Sequence, residues 1–308
     1  MHTPFKVRIG INPISWMNDD LPSLGGETPL DTALREGAAI GYRGFELGNK
    51  FPKEAVALRA VLGKYGLECV SGWYSGRLAR RTLEEEIAAI GPHLRLLAES
   101  GASVMVYGEV ADAIQGRLQP LYQRPRFTSR QQWQQYADKL TLLARHTLEH
   151  GVRLAYHHHM GAYVETADDI DTLMALTGPE VGLLFDSGHI TFAGADPVAL
   201  LRRHIGRVAH VHCKDVRADV VKLARNRNWS FLESVLNGAF SVPGDGCVDF
   251  PALLALLREY GYAGWLVVEA EQDPAVAPSF ECAQRGFRYL SALVNQPGPA
   301  PLQSQEAA

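Results

Sequence analysis

Eight short apolar runs, each followed by a stretch of helical pattern, constrain the fold of this chain more than any other feature. Such alternation is typical of parallel strands joined by crossover helices. Eight repeats are the number that closes a βα barrel. The sequence therefore predicts an α/β fold, a single (β/α)8 TIM barrel over residues 1–295. The predicted strands are Val7–Asn12, Gly44–Leu47, Glu68–Ser71, Ser103–Tyr107, Arg153–His157, Val181–Phe185, Arg207–His212 and Trp265–Glu269.

Glycines between the helical stretches and the next strands support this division, because glycine readily adopts the left-handed conformation that ends a helix. An open doubly wound sheet would instead need a glycine-rich phosphate turn after the first strand, and Asn12–Trp16 is not one. Two longer connections, Gly108–Thr128 and Val216–Asp249, are candidate lids. Residues 296–308 contain few apolar side chains, and we expect a disordered tail. The five helix-ending glycines are Gly41, Gly66, Gly101, Gly151 and Gly261.

The composition argues against several classes of function. The formal net charge is −4, and the basic residues are scattered, which disfavours nucleic acid as a partner. The four cysteines lie far apart without a CxxC pair, as in reduced cytoplasmic proteins. No apolar run approaches the roughly 18 residues of a membrane span. We expect a cytoplasmic enzyme that acts on a small molecule, without a membrane partner, and a homo-oligomer is compatible with the sequence.

Three of the later strands end in side chains that bind metals. Asp186, His212 and Glu269 each follow or complete an apolar run. In a βα barrel the carboxyl ends of all strands converge on one pocket, so these residues should share a site. Two carboxylates and an imidazole suit a divalent ion. The alternative for Asp186 is a structural role, as the cap of the next helix or the partner of an arginine.

The fifth strand supplies candidates for a fourth ligand. Consecutive side chains on a strand point to opposite faces, so within the His157–His159 run only His157 and His159 share a face. Either of them, or Glu165 in the following loop, could complete a set of four ligands. The sequence does not decide among the three.

Other polar residues near these strand ends are candidates for catalysis. Glu271 lies on the same face as Glu269 and could act as a base or as a support for the metal ligands. Lys214 follows His212 on the same face and suits an electrostatic contact with substrate or a proton transfer. His189 suits a substrate contact or a proton carrier. His210, deeper in its strand, is most simply a hydrogen-bonded core histidine.

Five residues in the first half of the barrel are candidates for substrate binding because they stand at predicted strand ends. Residues in this position are also often satisfied rim residues with structural roles only. The five candidates are Asn12, Glu46, Lys50, Trp73 and Glu109.

The order of these motifs resembles the xylose-isomerase-like TIM barrels. That resemblance implies one divalent ion held by Glu, Asp, His and Glu from strands five to eight. Three positions match, and His157 stands where relatives carry Glu. Within this group the chain is most similar to the myo-inosose-2 dehydratase family, over roughly residues 7–293. The segments that carry this similarity are Gly10–Pro13 with Trp16, Asn18–Asp20, Phe45–Pro52, Ser71–Gly76, His157–Gly161 and His210–Val216.

The resemblance implies conversion of scyllo-inosose (2-keto-myo-inositol) to 3D-trihydroxycyclohexane-1,2-dione and water, in myo-inositol catabolism. It also implies Mn²⁺ or Co²⁺, and glutathione, as cofactors. A carbonyl and a neighbouring hydroxyl could chelate the ion, and this would make the α-proton more acidic. Elimination then needs a base, Glu271 or a strand-five residue, and an acid, His189 or Lys214.

Three other functions are compatible with a barrel of this kind. A metal-dependent ketose epimerase or isomerase would use the same ion but return the proton instead of expelling hydroxide. A non-catalytic sugar-binding barrel would bind ligand without turnover. A trinuclear-zinc endonuclease would need more His and Asp ligands and a basic groove, which this acidic chain lacks.

Overall fold

Eight parallel strands pair around a closed barrel in the computed structural model of the chain, which describes residues 5–296. Each strand pairs with its neighbours in sequence, and the first pairs with the last. The predicted barrel is confirmed. Its strands are β1 (Arg8–Ile11), β2 (Gly44–Leu47), β3 (Glu68–Gly76), β4 (Val104–Glu109), β5 (Arg153–His157), β6 (Gly182–Asp186), β7 (Val208–Cys213) and β10 (Trp265–Val268); a small antiparallel pair, β8 (Asp215–Val216) and β9 (Phe240–Ser241), lies apart.

Helices connect the strands and cover the barrel. Several begin with a side-chain cap, such as the reciprocal capping box of Thr82 and Glu85 at α3, which satisfies amide groups that the helix leaves free. The five predicted helix-ending glycines all have positive φ, between 66° and 117°. The helices are α1 (Leu30–Ile40), α2 (Ala55–Gly63), α3 (Leu83–Glu99), α4 (Arg130–Glu149), α5 (Ala167–Leu176), α6 (Ser187–Phe192), α7 (Pro197–His204), α8 (Ala218–Arg227), α9 (Phe231–Leu236), α10 (Phe250–Tyr260) and α11 (Ser279–Asn295).

The buried apolar side chains form one large cluster and two small ones. The large cluster packs the helices against the outer face of the barrel. The small clusters consist of strand residues, and they fill the barrel interior below the carboxyl ends of the strands. They contain Val104, Val106, Ala155 and Leu184 in one case and Val70, Trp265 and Val267 in the other.

Several boundaries differ from the prediction. β3 runs to Gly76 rather than Ser71, because Gly76 pairs with Glu109 at the end of a longer β4. The predicted lid over residues 216–249 contains α8, α9 and β9. The predicted tail, apart from Gln296, lies outside the described residues. Within residues 5–296 the helices are too short or too polar to cross a bilayer.

Candidate functional site

The carboxyl ends of four strands bring four candidate ligands together. His157, Asp186, His212 and Glu269 are all buried, and one donor atom of each lies within 4.8 Å of the others. The Asp186 Oδ2 atom is 3.6 Å from His157 Nε2 and 3.6 Å from His212 Nδ1. The His212 Nδ1 atom is 2.7 Å from Glu269 Oε2. Two imidazole nitrogens and two carboxylate oxygens therefore face one point.

The two carboxylate oxygens of Asp186 have different surroundings. Its Oδ1 atom caps α6 by accepting a hydrogen bond from the His189 amide at 2.8 Å. Its Oδ2 atom is buried and has no hydrogen-bond partner within residues 5–296. The capping role considered from the sequence is thus present, and it uses only one oxygen. A buried carboxylate oxygen without a hydrogen-bond donor is costly unless cations neutralise it, and the Lys214 ammonium, 3.4 Å away, is one such cation.

The electrostatics of the four residues fit a divalent cation. Burial raises the pKa of Asp186, but nearby His189 and Lys214 outweigh it and hold the carboxyl pKa well below its usual range. Burial lowers the pKa of His212, but the carboxylates of Glu269 and Glu46 raise it well above its usual value. This raised pKa reflects a strongly negative field at the imidazole. A divalent ion is the natural counter-charge for such a field.

Of the three candidates for the fourth ligand, only His157 joins the other three residues. His159 lies instead with His189 and Glu271. The Glu165 carboxylate accepts a hydrogen bond from the Gly161 amide at 2.7 Å and lies 3.5 Å from the Arg124 guanidinium. The structure therefore groups His157, and not His159 or Glu165, with Asp186, His212 and Glu269.

Glu46 lines the cavity, and its carboxylate also contacts several neighbouring side chains, among them His212. Its carboxylate accepts hydrogen bonds from Nε2 of His212 at 3.1 Å, Nε2 of His210 at 2.8 Å and Oγ of Ser71 at 2.5 Å. Asn12 Nδ2 donates to the same carboxylate at 2.8 Å. The polar atoms of Glu46 are therefore occupied, while His210 is the hydrogen-bonded core histidine that its position predicted.

A cavity of about 170 Å³ lies above these residues. Trp73 forms part of its wall, with the indole ring edge-on to His157 at 5.5 Å between centroids. A Cβ atom at Gly108 would lie 2.1 Å from the Trp73 ring, so only glycine leaves room for this indole position. The lining residues are Asn12, Ile14, Asp19, Asp20, Glu46, Leu47, Asn49, Trp73, Ser75, Val106, Gln115, His157, His159, His212, Glu269 and Glu271.

Two of the predicted substrate contacts do not line the cavity. The Lys50 ammonium is exposed and donates to the backbone carbonyls of Gly26 and Thr28, both at 2.6 Å. Glu109 is buried and accepts hydrogen bonds from the amides of Ala79 and Ala111. Both side chains have structural partners, so the prediction for Lys50 and Glu109 is corrected.

A second group of polar residues surrounds Lys214, which is fully buried. Its Nζ atom lies 2.6 Å from Glu271 Oε1, 2.8 Å from Glu269 Oε1 and 2.9 Å from His189 Nε2. Burial lowers the pKa of His189 to about 4, so its ring is neutral and accepts a hydrogen bond from the ammonium. Neither Lys214 nor His189 lines the cavity, whereas Glu271 does. The two residues lie behind Glu271 and outside the cavity wall, whereas a proton donor has to reach the substrate.

One of the alternative fourth ligands named from the sequence, His159, is a residue of the cavity that can carry a proton. His159 lines the cavity, and its Nδ1 atom lies 2.9 Å from the Met160 carbonyl oxygen. Because a carbonyl only accepts, Nδ1 carries the hydrogen and Nε2 is the nitrogen left for other contacts. The strand alternation that grouped His159 with His157 contained this signal. The polar lining residues that sequence reasoning did not single out for the site are Asp19, Asp20, Asn49, Ser75 and Gln115.

Comparisons with known proteins agree with this architecture. The family described as "Xylose isomerase-like TIM barrel" matches residues 34–293. The fold resembles that of the IolI protein crystallised with a zinc atom, with a TM-score of 0.70 at 15% identity, covering 96% of this chain and 100% of that one. It also resembles a probable 3-DHS dehydratase, AsbF, from Bacillus anthracis, with a TM-score of 0.67 at 14% identity, covering 92% and 99%.

Two further relatives are much more similar in sequence. The rhizopine catabolism protein MocC of Rhizobium meliloti is 52% identical over 95% of this chain and 90% of its own length. The inosose dehydratase of Clostridium beijerinckii is 42% identical over 92% of this chain and 96% of its own. The protein is therefore a member of the xylose isomerase-like TIM barrel family, in the group that contains MocC and the inosose dehydratases.

Proposed function

We propose that this protein is a metal-dependent inosose dehydratase, a hydro-lyase that removes water from scyllo-inosose to give the trihydroxycyclohexane-1,2-dione. The observation that carries the proposal is the set of four buried donors at the floor of the cavity, in a chain about 40% identical to several inosose dehydratases over more than nine-tenths of its length. The alternatives, a ketose epimerase or a sugar-binding barrel, have no comparable support from relatives of this identity.

The metal would be held by His157, Asp186, His212 and Glu269. Bound there, a divalent ion acts as a Lewis acid on the substrate carbonyl and makes the adjacent C–H bond more acidic. Mixed nitrogen and oxygen donors accommodate Mn²⁺ and Co²⁺, and we propose one of these as the native ion. Glutathione as a further cofactor, a cytoplasmic location and a homo-oligomeric assembly are parts of the proposal that rest on the sequence and the resemblance.

Glu271 is the proposed base. Its carboxylate lines the cavity, and its Oε2 atom has no hydrogen-bond partner within the described part of the chain. Burial raises the pKa of this carboxyl, but the Lys214 ammonium and His189 lower it by more. The net pKa is below its usual value, so the group is ionised at neutral pH. It would take the proton from the carbon next to the carbonyl while Lys214 holds the other oxygen in place.

His159 is the proposed acid. With Nδ1 bound to the Met160 carbonyl, a proton on Nε2 would pass to the hydroxyl on the neighbouring carbon as its C–O bond breaks. The hydroxyl leaves as water. The resulting enol then rearranges to the dione, so that the substrate loses one water and no redox partner is needed.

A direct assay tests the function. Metal-loaded protein incubated with scyllo-inosose should give rising dione absorbance, and EDTA should abolish it. An epimerase would instead return a proton to the same carbon and give a ketose isomer without this absorbance. Ligand binding without any product would identify a non-catalytic barrel and contradict the proposal.

A second assay tests the base. Solvent deuterium exchange at the α-carbon should fall by roughly 100-fold or more in Glu271→Gln, because general base catalysis typically contributes that much. The exposed Glu149, on the outer helix α4, gives a matched control as Glu149→Gln. Undiminished exchange in Glu271→Gln would remove Glu271 from the role of base.

A further inference from the structure

We infer that the Lys214 ammonium takes the place of a second metal ion, so that the centre binds one ion rather than two. This inference rests on the metal centre proposed above and adds a specific statement about its stoichiometry. The Lys214 ammonium is buried and contacts residues of two neighbouring groups of potential ligands.

The first observation is a second complete set of ligands. His159, His189 and Glu271 are buried, and one donor atom of each lies within 4.8 Å of the others. Within the described residues, Glu271 Oε2 is a buried atom without a hydrogen-bond partner. Two imidazoles and a carboxylate are a typical set of protein ligands for a divalent transition metal. By its donor types alone, this group could bind an ion.

The second observation is the position of Lys214 between this set and the first. Its Nζ atom lies 2.6 Å from Glu271 and 2.9 Å from His189, which belong to the second set. It also lies 2.8 Å from Glu269 and 3.4 Å from Asp186, which belong to the first. A cation fixed among these four groups supplies positive charge where a second ion would otherwise bring it, although one unit rather than two. It would also repel such an ion at short range.

The third observation is that the fold makes room for this side chain. Gly188, in the first turn of α6, lies against the aliphatic stem of Lys214. A Cβ atom at Gly188 would be 2.4 Å from Lys214 Cγ and 2.8 Å from Cβ and Cδ of the same side chain. Any other residue at this position would push the stem away. The absence of a side chain at Gly188 therefore allows Lys214 to reach the two ligand sets.

Metal counting tests the inference. After equilibration in millimolar MnCl2 and removal of free metal, mass spectrometry should find one manganese per chain in the wild type and two in Lys214→Met. The double variant Lys214→Met with His189→Ala should return to one. In Lys214→Met, electron paramagnetic resonance should show two spin-coupled Mn²⁺ ions, whereas the wild type should show an isolated ion.

The alternative outcomes separate the inference from the proposed function. Two ions in the wild type, or one in folded Lys214→Met, would overturn the inference. If Lys214→Met is unfolded without metal, it is refolded in excess MnCl2 before the ions are counted. Failure to refold would also contradict the inference, because a second ion should replace the ammonium. Turnover of scyllo-inosose by the wild type is measured separately. Absence of turnover would contradict the proposed function, whatever the number of manganese ions per chain.

Discussion

Glu46 accepts a hydrogen bond from Nε2 of His212, and this leaves Nδ1 of the same ring facing Asp186 and Glu269. The contact fixes both the tautomer and the orientation of the imidazole. Such a carboxylate behind a ligating histidine strengthens metal binding although it does not touch the metal. Glu46 should therefore matter for metal affinity more than for substrate affinity.

Replacement of Glu46 by Gln should weaken Mn²⁺ binding by roughly 10–100-fold, because the amide oxygen accepts a weaker hydrogen bond from the ring and adds no negative charge. Calorimetric titration of the metal-free protein with MnCl2 measures this directly. The exposed Glu149→Gln variant should bind like the wild type. Unchanged affinity in Glu46→Gln would show that the contact with His212 has no bearing on the metal.

The choice of His157 as the fourth ligand can be checked with a pair of variants. His157→Ala should weaken metal binding by more than about 100-fold, since it removes a direct donor. Glu165→Gln should leave the affinity unchanged, because that carboxylate is engaged by Gly161 and Arg124. The reverse pattern in the same titration would assign the role to Glu165.

Gly108 should control substrate affinity through Trp73. A methyl group at this position would lie 2.1 Å from the indole and force the ring to move. Loss of one aromatic contact is worth about 1 kcal/mol, so KM for scyllo-inosose should rise roughly fivefold in Gly108→Ala, with metal affinity unchanged. Gly116→Ala is the matched control, because no atom lies within 4 Å of its added Cβ. Equal KM values in the two variants would argue against this role of Trp73.

Glu109 should make the barrel less stable as the pH rises. Burial raises the pKa of its carboxyl from 4.5 to about 7. Because the folded-state pKa is the higher one, the contribution of Glu109 to stability is complete below the unfolded pKa and is lost as the pH rises through the folded pKa. The loss amounts to at most about 3 kcal/mol.

Urea unfolding of the wild type and of Glu109→Gln, which cannot titrate, isolates this contribution. The free energy of unfolding of the wild type minus that of the variant should fall between about pH 5 and about pH 8. A constant difference across this range would show that Glu109 has an ordinary pKa in the folded protein.

The barrel and three of the candidate ligands could be predicted because buried parallel strands impose a simple pattern on the sequence. A strand covered on both faces must be apolar until it reaches the mouth, so the first charged residue marks the strand end. Asp186, His212 and Glu269 were visible for this reason. The helix-ending glycines could be predicted for a different reason, because the left-handed backbone conformation that ends a helix favours glycine whatever surrounds it.

The remaining features depend on distances that the sequence does not contain. Strand alternation placed His157 and His159 on one face, but His159 lies two residues further along the chain. The structure therefore groups His157 with Asp186, His212 and Glu269, and His159 with His189 and Glu271. Lys50 was misassigned because its contacts depend on the path of the loop at Gly26 and Thr28. The position of Lys214 behind Glu271 likewise follows from packing against Gly188, which a single sequence does not reveal.

The two carboxylate oxygens of Asp186 have different roles, and this couples metal binding to the stability of α6. Oδ1 caps the N-terminus of α6, and Oδ2 faces the proposed ion. The free energy of metal binding would then also hold the first turn of this helix in place, together with Gly188 and His189. In the metal-free protein, backbone amides of α6 should exchange hydrogen faster than those of the other helices, so that this short helix reports whether the centre is loaded.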